Sequence, residues 1–140
     1  MKRKYFIIGI IIIIILGGVI YKLKTNKKYH IDEKVTLDNY GITLKKANYN
    51  EETKTLEAVF QITNLNKYSI TINDREHFML NGLGETEIGN SFHSNINLIK
   101  SNETIMYTLN YSVNKNKKYI ITFYSGVKKN NAKFIIDLKE

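Results

Sequence analysis

Thr55-Leu56-Glu57-Ala58-Val59-Phe60-Gln61-Ile62-Thr63 puts Leu56, Ala58, Phe60 and Ile62 at every second position, with Glu57, Gln61 and Thr63 between them. A period of two means successive side chains leave opposite faces of an extended chain, so the stretch predicts a half-buried β-strand. Thr104–Val113 repeats the pattern. Ile105, Tyr107, Leu109, Tyr111 and Val113 face one way; Thr104, Met106, Thr108, Asn110 and Ser112 face the other. Weaker runs of the same kind cover Gly41–Tyr49, Tyr68–Asn73, Phe78–Asn81, Tyr119–Tyr124 and Lys133–Leu138, with Val35–Leu37 as a short edge. Between them lie Asn64-Leu65-Asn66-Lys67, Asn73-Asp74-Arg75-Glu76, Asn81-Gly82-Leu83-Gly84, Asn114-Lys115-Asn116-Lys117 and Lys129-Asn130-Asn131. Asparagine suits such joints because its side chain bonds nearby backbone and it tolerates the left-handed region. Only Gly84–Leu98 shows no element.

Short strands with regular turn signals predict an all-β antiparallel sandwich, two sheets around one apolar core. A closed barrel is the competing fold. Tyr119–Tyr124 (YIITFY) and Phe134–Ile136 lack the clean alternation of a barrel wall and suit inner strands, covered in part on both faces.

The 140-residue chain has room for one domain and an appendage. Residues 5–21 (YFIIGIIIIIILGGVIY) carry no charge and are bracketed by Lys2-Arg3-Lys4 and by Lys22, Lys24, Lys27 and Lys28. Seventeen helical residues rise about 25 Å, and interfacial tyrosines and lysines make up the remainder of a ~30 Å hydrocarbon core. The spacing predicts a transmembrane helix over 1–21. Leu16 and Val19 around Gly17-Gly18 give no A-x-A-like cleavage site, so the helix reads as an uncleaved signal anchor. Flanking charge is nearly balanced; the short basic leader favours a cytosolic N-terminus and an extracytoplasmic C-terminal domain at the cell membrane. Residues 22–34, polar and lysine-rich, read as a tether, which leaves 35–140 for the sandwich.

Residues 41–138 resemble the DUF4352-type, telokin-like family of exported Gram-positive proteins. The matching pieces are Gly41-Ile42-Thr43-Leu44, Val59–Asn64 running into Tyr68–Ile72, Phe78-Met79-Leu80 with its glycine turn, and Leu98–Thr104 leading into Tyr107–Val113. Where the family has a proline-glycine-glutamate turn, Ser101 and Asn102 replace the first two residues and Glu103 remains. The family's lipobox cysteine is missing, as an uncleaved helix would have it. The resemblance implies an immunoglobulin-like fold and a binding or accessory role, and carries no catalytic residues.

The chain has no cysteine, which excludes disulfides, thiol catalysis and thiolate zinc sites. No G-x-S-x-G elbow, no Ser-x-x-Lys with its supporting motifs, and no phosphate loop or dinucleotide fingerprint occurs, so no enzyme is expected. Glu76, His77, Glu85, Glu87 and His93 could converge on a metal only if residues 84–98 fold back. No helical ligand spacing supports this, and His77 and His93 are expected to be ordinary surface residues, with no metal or cofactor. Tyr107 and Tyr111 are expected to be core tyrosines.

Net charge is +8; without Lys2, Arg3 and Lys4 the remainder still carries 18 basic residues against 13 acidic. Lys115, Lys117, Lys118, Lys128, Lys129 and Lys133 are candidate contacts for anionic lipid or wall polymer, although loops on either side of strand 119–124 lie at opposite ends of a sandwich. Nucleic acid is a poor fit to an exported domain. These readings converge on a non-catalytic, membrane-anchored extracytoplasmic module that recognises a protein of the cell envelope. An immunity protein blocking a secreted toxin at the membrane, or a subunit of a secretion or conjugation assembly, is the alternative.

Overall fold

The computed structural model describes residues 27–82, 87–89, 91, 96–115, 118–126 and 130–138. The transmembrane segment expected over residues 5–21 lies outside them, as do Glu85, His93, Lys117, Lys128 and Lys129. Among the described residues no helix is long and apolar enough to cross a membrane.

The strands, in chain order, are β1 (Lys28–Tyr29), β2 (Lys34–Leu37), β3 (Tyr40–Asn50), β4 (Thr55–Asn64), β5 (Ile70–Asn73), β6 (Phe78–Asn81), β7 (Glu87–Gly89), β8 (Ile96–Ile99), β9 (Thr104–Ser112), β10 (Lys118–Tyr124) and β11 (Asn131–Asp137); one helical turn, α1 (Asp74–His77), joins β5 to β6. They form a sheet ordered β2-β3-β4-β9, a facing sheet ordered β1-β11-β10-β6-β7, and a two-stranded ribbon of β5 and β8. All pairings are antiparallel except β1 with β11. The protein is an all-β sandwich rather than a barrel.

β4 alternates between half-buried and fully buried along its whole length, as its sequence predicts. Its register sets Leu44, Phe60 and Tyr107 abreast, so three strands deliver large side chains to one level of the core. Phe60 meets Phe78 and Phe134 from the opposite sheet at 5.2 and 5.1 Å, and Phe78 stacks on Tyr107 at 5.6 Å. Aromatic pairs at these separations add specific geometry to the area they bury. In β10 the inward Tyr119, Ile121 and Phe123 are buried, and so are the outward Ile120 and Thr122. Burial on both faces is the reason this run lacks alternation.

β7 and most of β8 fall within Gly84–Leu98, where the sequence shows no element, and α1 stands where a turn is expected; two further features depart from the sequence reading. β3 carries a bulge between Leu44 and Lys46, so Lys45 and Lys46 are both exposed while Ala47 and Tyr49 turn back toward the core. One extra residue shifts the side-chain parity of everything after it. The tether expected over residues 22–34 also gives way before Val35. Lys28 and Tyr29 pair in parallel with Lys133 and Phe134, Tyr29 packs on Phe134 at 5.8 Å, and Lys34 already pairs with Thr43.

Pairing directions sort the loops into two ends. The proximal end, where residue 27 joins the fold, holds the β2–β3 turn, the 65–69 loop, the β8–β9 turn and Ser125. There the Asp38 carboxylate accepts from Ser125 Oγ and Asn130 Nδ2, and Leu65 N donates to the Asn39 carbonyl at 2.8 Å. The distal end holds the β3–β4 turn and the β9–β10 connection.

Candidate functional site

The three described candidate lysines, Lys115, Lys118 and Lys133, do not form one patch. Lys115 and Lys118 lie at the distal end, each in an ion pair: Lys115 Nζ is 2.5 Å from Glu51 and Lys118 Nζ 3.4 Å from Asp137. The hydrogen bond from Lys115 holds the Glu51 carboxyl below its ordinary range. Lys133 pairs with Thr122, four residues along β10 from Lys118, and on its other side with Lys28. A strand advances ~3.3 Å per residue, which separates Lys133 from Lys118 by roughly 13 Å along the sheet. Among the described residues of the distal end the charges balance: Glu51, Glu52, Glu57 and Asp137 stand with Lys46, Lys54, Lys115 and Lys118. A depression of about 800 Å³ there is lined by Asn48, Asn50, Glu51, Glu52, Glu57 and their neighbours.

His77 corrects the expectation of a surface histidine. It is 6% exposed, packs between Tyr40 and Phe123, and its Nδ1 lies 3.0 Å from the Asn73 carbonyl. Among the described residues no group of three His, Asp or Glu side chains could hold a metal. Tyr107 and Tyr111 are core residues, each about 2% exposed. Burial pushes the Tyr107 hydroxyl up to about 12 and Tyr111 higher still, with the neighbouring Asp74 adding to both.

The proximal end is organised by Asn64, which is fully buried. Its Nδ2 donates to the carbonyls of Tyr68 (2.8 Å), Ile99 (3.0 Å) and Lys100 (3.0 Å). Its Oδ1 accepts from Asn66 N (2.8 Å) and Asn66 Nδ2 (3.1 Å). Ser101 Oγ donates to the Asn66 carbonyl at 2.7 Å. The 65–69 loop is thereby fixed to the β8–β9 turn, yet it exposes Leu65 (42%) and Tyr68 (67%). A sequence reading gives Asn64 only turn chemistry, because a polar residue looks the same whether it faces water or a ring of carbonyls.

The second exposed apolar feature is β8. Ile96 and Leu98 are 66% and 65% exposed, and the strand pairs with β5 alone among the described strands. Ile96-Asn97-Leu98-Ile99 carries no charge, proline or bulge, the devices that ordinarily blunt an edge strand.

No protein-family model and no curated protein matches the chain. Three solved structures are similar to it in fold. The yjhA protein from Bacillus subtilis aligns with a TM-score of 0.60 at 14% identity, covering 79% of this chain and 99% of its own. A putative lipoprotein, ycdA, also from Bacillus subtilis, aligns with a TM-score of 0.60 at 17% identity over 76% of this chain; this chain spans 39% of its length. An uncharacterized β-sandwich protein from Clostridium difficile aligns at 0.40 and 14% identity, over 81% of this chain and 95% of its own. At such identities the likeness to the two Bacillus subtilis structures speaks for a shared fold alone.

Proposed function

We propose that the chain is a membrane-anchored, extracytoplasmic, immunoglobulin-like binding module that recognises a protein of the cell envelope and performs no catalysis. The connectivity supports the immunoglobulin-like reading. β4 sits between β3 and β9, β10 between β6 and β11, and the chain crosses between sheets from β4 toward β6 and from β9 to β10, the Greek-key order of that fold. Tyr119, at the start of β10, donates its hydroxyl to the Asn114 carbonyl, in the manner of a tyrosine corner. The resemblance to the DUF4352-type family accords with both.

The observation that carries the binding role is β8. An uncharged edge strand with two large apolar side chains in water is a template for a partner strand: backbone pairing supplies affinity and alternate side chains supply selectivity. The test is photo-crosslinking in intact cells, with the reactive side chain at Leu98 of the full chain and at Lys54 as the distal control. One envelope protein captured at Leu98 and absent at Lys54 is the expected result. Identical capture from both positions overturns the edge as the binding surface. A C-terminal tag that resists protease until the cells are lysed overturns the extracytoplasmic placement.

A further inference from the structure

We propose that the proximal end of the sandwich is a lipid-facing surface, on which Tyr68 and Leu65 seat among the headgroups of an anionic bilayer and Lys27, Lys67 and Lys100 face its phosphates. The inference rests on the membrane-anchor reading of residues 5–21 and concerns a different surface from the β8 edge.

Chain length argues first. Because β1 begins at Lys28, only residues 22–27 separate it from Tyr21, where the apolar run ends. Six residues reach at most about 22 Å when fully extended. The parallel register of Lys28 with Lys133 makes this the end from which the chain arrives. Whichever side of the membrane the domain occupies, this end is held against the bilayer.

Side-chain chemistry argues second. Tyr68 and Leu65 are an amphipathic ring and an aliphatic chain on a loop that Asn64 and Ser101 hold rigid, so presenting them costs no ordering on contact. Lys67 stands between them, Lys100 is on the turn bonded to the same asparagine, and Lys27 lies 4.9 Å above the Tyr29 ring at the strand's start. In the turns of this end the acidic residues are Asp38, occupied by Ser125 and Asn130, and Glu103, whose Oε2 accepts from Lys100 N at 2.7 Å; on α1, which enters β6 from this side, exposed Glu76 is offset by exposed Arg75. Among the described residues the distal end has four acidic and four basic side chains, Glu51, Glu52, Glu57 and Asp137 against Lys46, Lys54, Lys115 and Lys118, and its two turns show no large exposed apolar side chain.

The chain has no tryptophan, so a single one reports its own surroundings. The full chain carrying Tyr68→Trp, and separately Glu52→Trp at the distal turn, is reconstituted in phosphatidylcholine vesicles with about 30% phosphatidylglycerol, with and without brominated acyl chains. The expected result is blue-shifted emission and bromine quenching for position 68 and neither for position 52. Quenching should fall when salt is raised to about 1 M, where screening shortens to ~3 Å. A lysine near an anionic surface is worth about fivefold in partition, so Lys67→Glu with Lys100→Glu should weaken the contact more than tenfold. A chain that floats with the vesicles while position 68 stays water-like and unquenched overturns this proposal and leaves the anchor standing. A chain that does not float overturns the anchor and this surface with it. Equal quenching on pure phosphatidylcholine overturns the role of the lysines.

Discussion

Asn64 allows a prediction in which the order of two variants, and not merely a loss, is decided by geometry. Its amide has two N–H bonds shared among three carbonyls within 3.0 Å, and its oxygen takes two donors from Asn66. Asn64→Ala removes both sets. The Ile99 carbonyl and the Asn66 N–H lie in the fully buried part of this network, whereas the Tyr68 and Lys100 carbonyls are near enough to the surface for water to reach them. Two orphaned buried groups at about 1–3 kcal/mol each give an expected loss of about 2–6 kcal/mol, a large part of a typical stability of about 5–15 kcal/mol. Asn64→Asp keeps the acceptor but turns a carboxylate oxygen toward three carbonyl oxygens and buries a charge, so it should be the less stable variant at neutral pH. It should recover in part in acid, where a protonated carboxyl can donate one hydrogen bond. Urea denaturation of the full chain in detergent, followed by tyrosine near-ultraviolet dichroism, measures both. A result with Asn64→Asp equal to or more stable than Asn64→Ala, or with either within about 0.5 kcal/mol of the parent, would refute the assignment of Asn64 as the junction of these loops.

Phe60→Asp or Leu109→Asp should abolish cooperative folding, because each puts a carboxylate at a fully buried position; a soluble variant with a sharp melt would contradict the strand faces. Alkaline titration followed by tyrosinate absorbance should leave Tyr107 and Tyr111 neutral beyond about pH 10, the ordinary value for a tyrosine hydroxyl in a peptide. Since the unfolded chain loses those protons first, stability should fall as pH rises from about 10 through about 12, and a flat stability profile over that window would count against their burial. His77→Ala should lower stability by about 2 kcal/mol through lost ring packing and the lost hydrogen bond between Nδ1 and the Asn73 backbone, without altering crosslinking at Leu98; a variant as stable as the parent would place the ring in water after all.

What could be read without coordinates is what depends on near neighbours in the chain. Leu56, Ala58, Phe60 and Ile62, or Tyr107, Leu109 and Tyr111, betray their face because the pleat repeats every two residues and one side must leave water. Phe78–Asn81 was legible to the residue for the same reason. The helical turn α1 was not, since Asn73 supplies a turn and an N-cap by the same side-chain bond, here accepted from Arg75 N at 3.0 Å. Tyr68 and Ser69 fall outside β5 because the Tyr68 carbonyl is claimed by Asn64 rather than by a ladder.

The remaining features were decided by contacts between residues far apart in sequence. Two residues of β1 have no periodicity of their own; they become a strand because Lys133 and Phe134 offer an open edge. The extra residue at Lys45 in β3 is visible only against the register of β4. His77 is buried because Tyr40 and Phe123 arrive from other strands, and Lys118 and Lys133 are kept apart by the stretch of β10 between Lys118 and Thr122. Local alternation specifies which side of a strand avoids water. Which polar residues share that interior, and which end of the sandwich the chain enters, is specified only when the sheets close on one another.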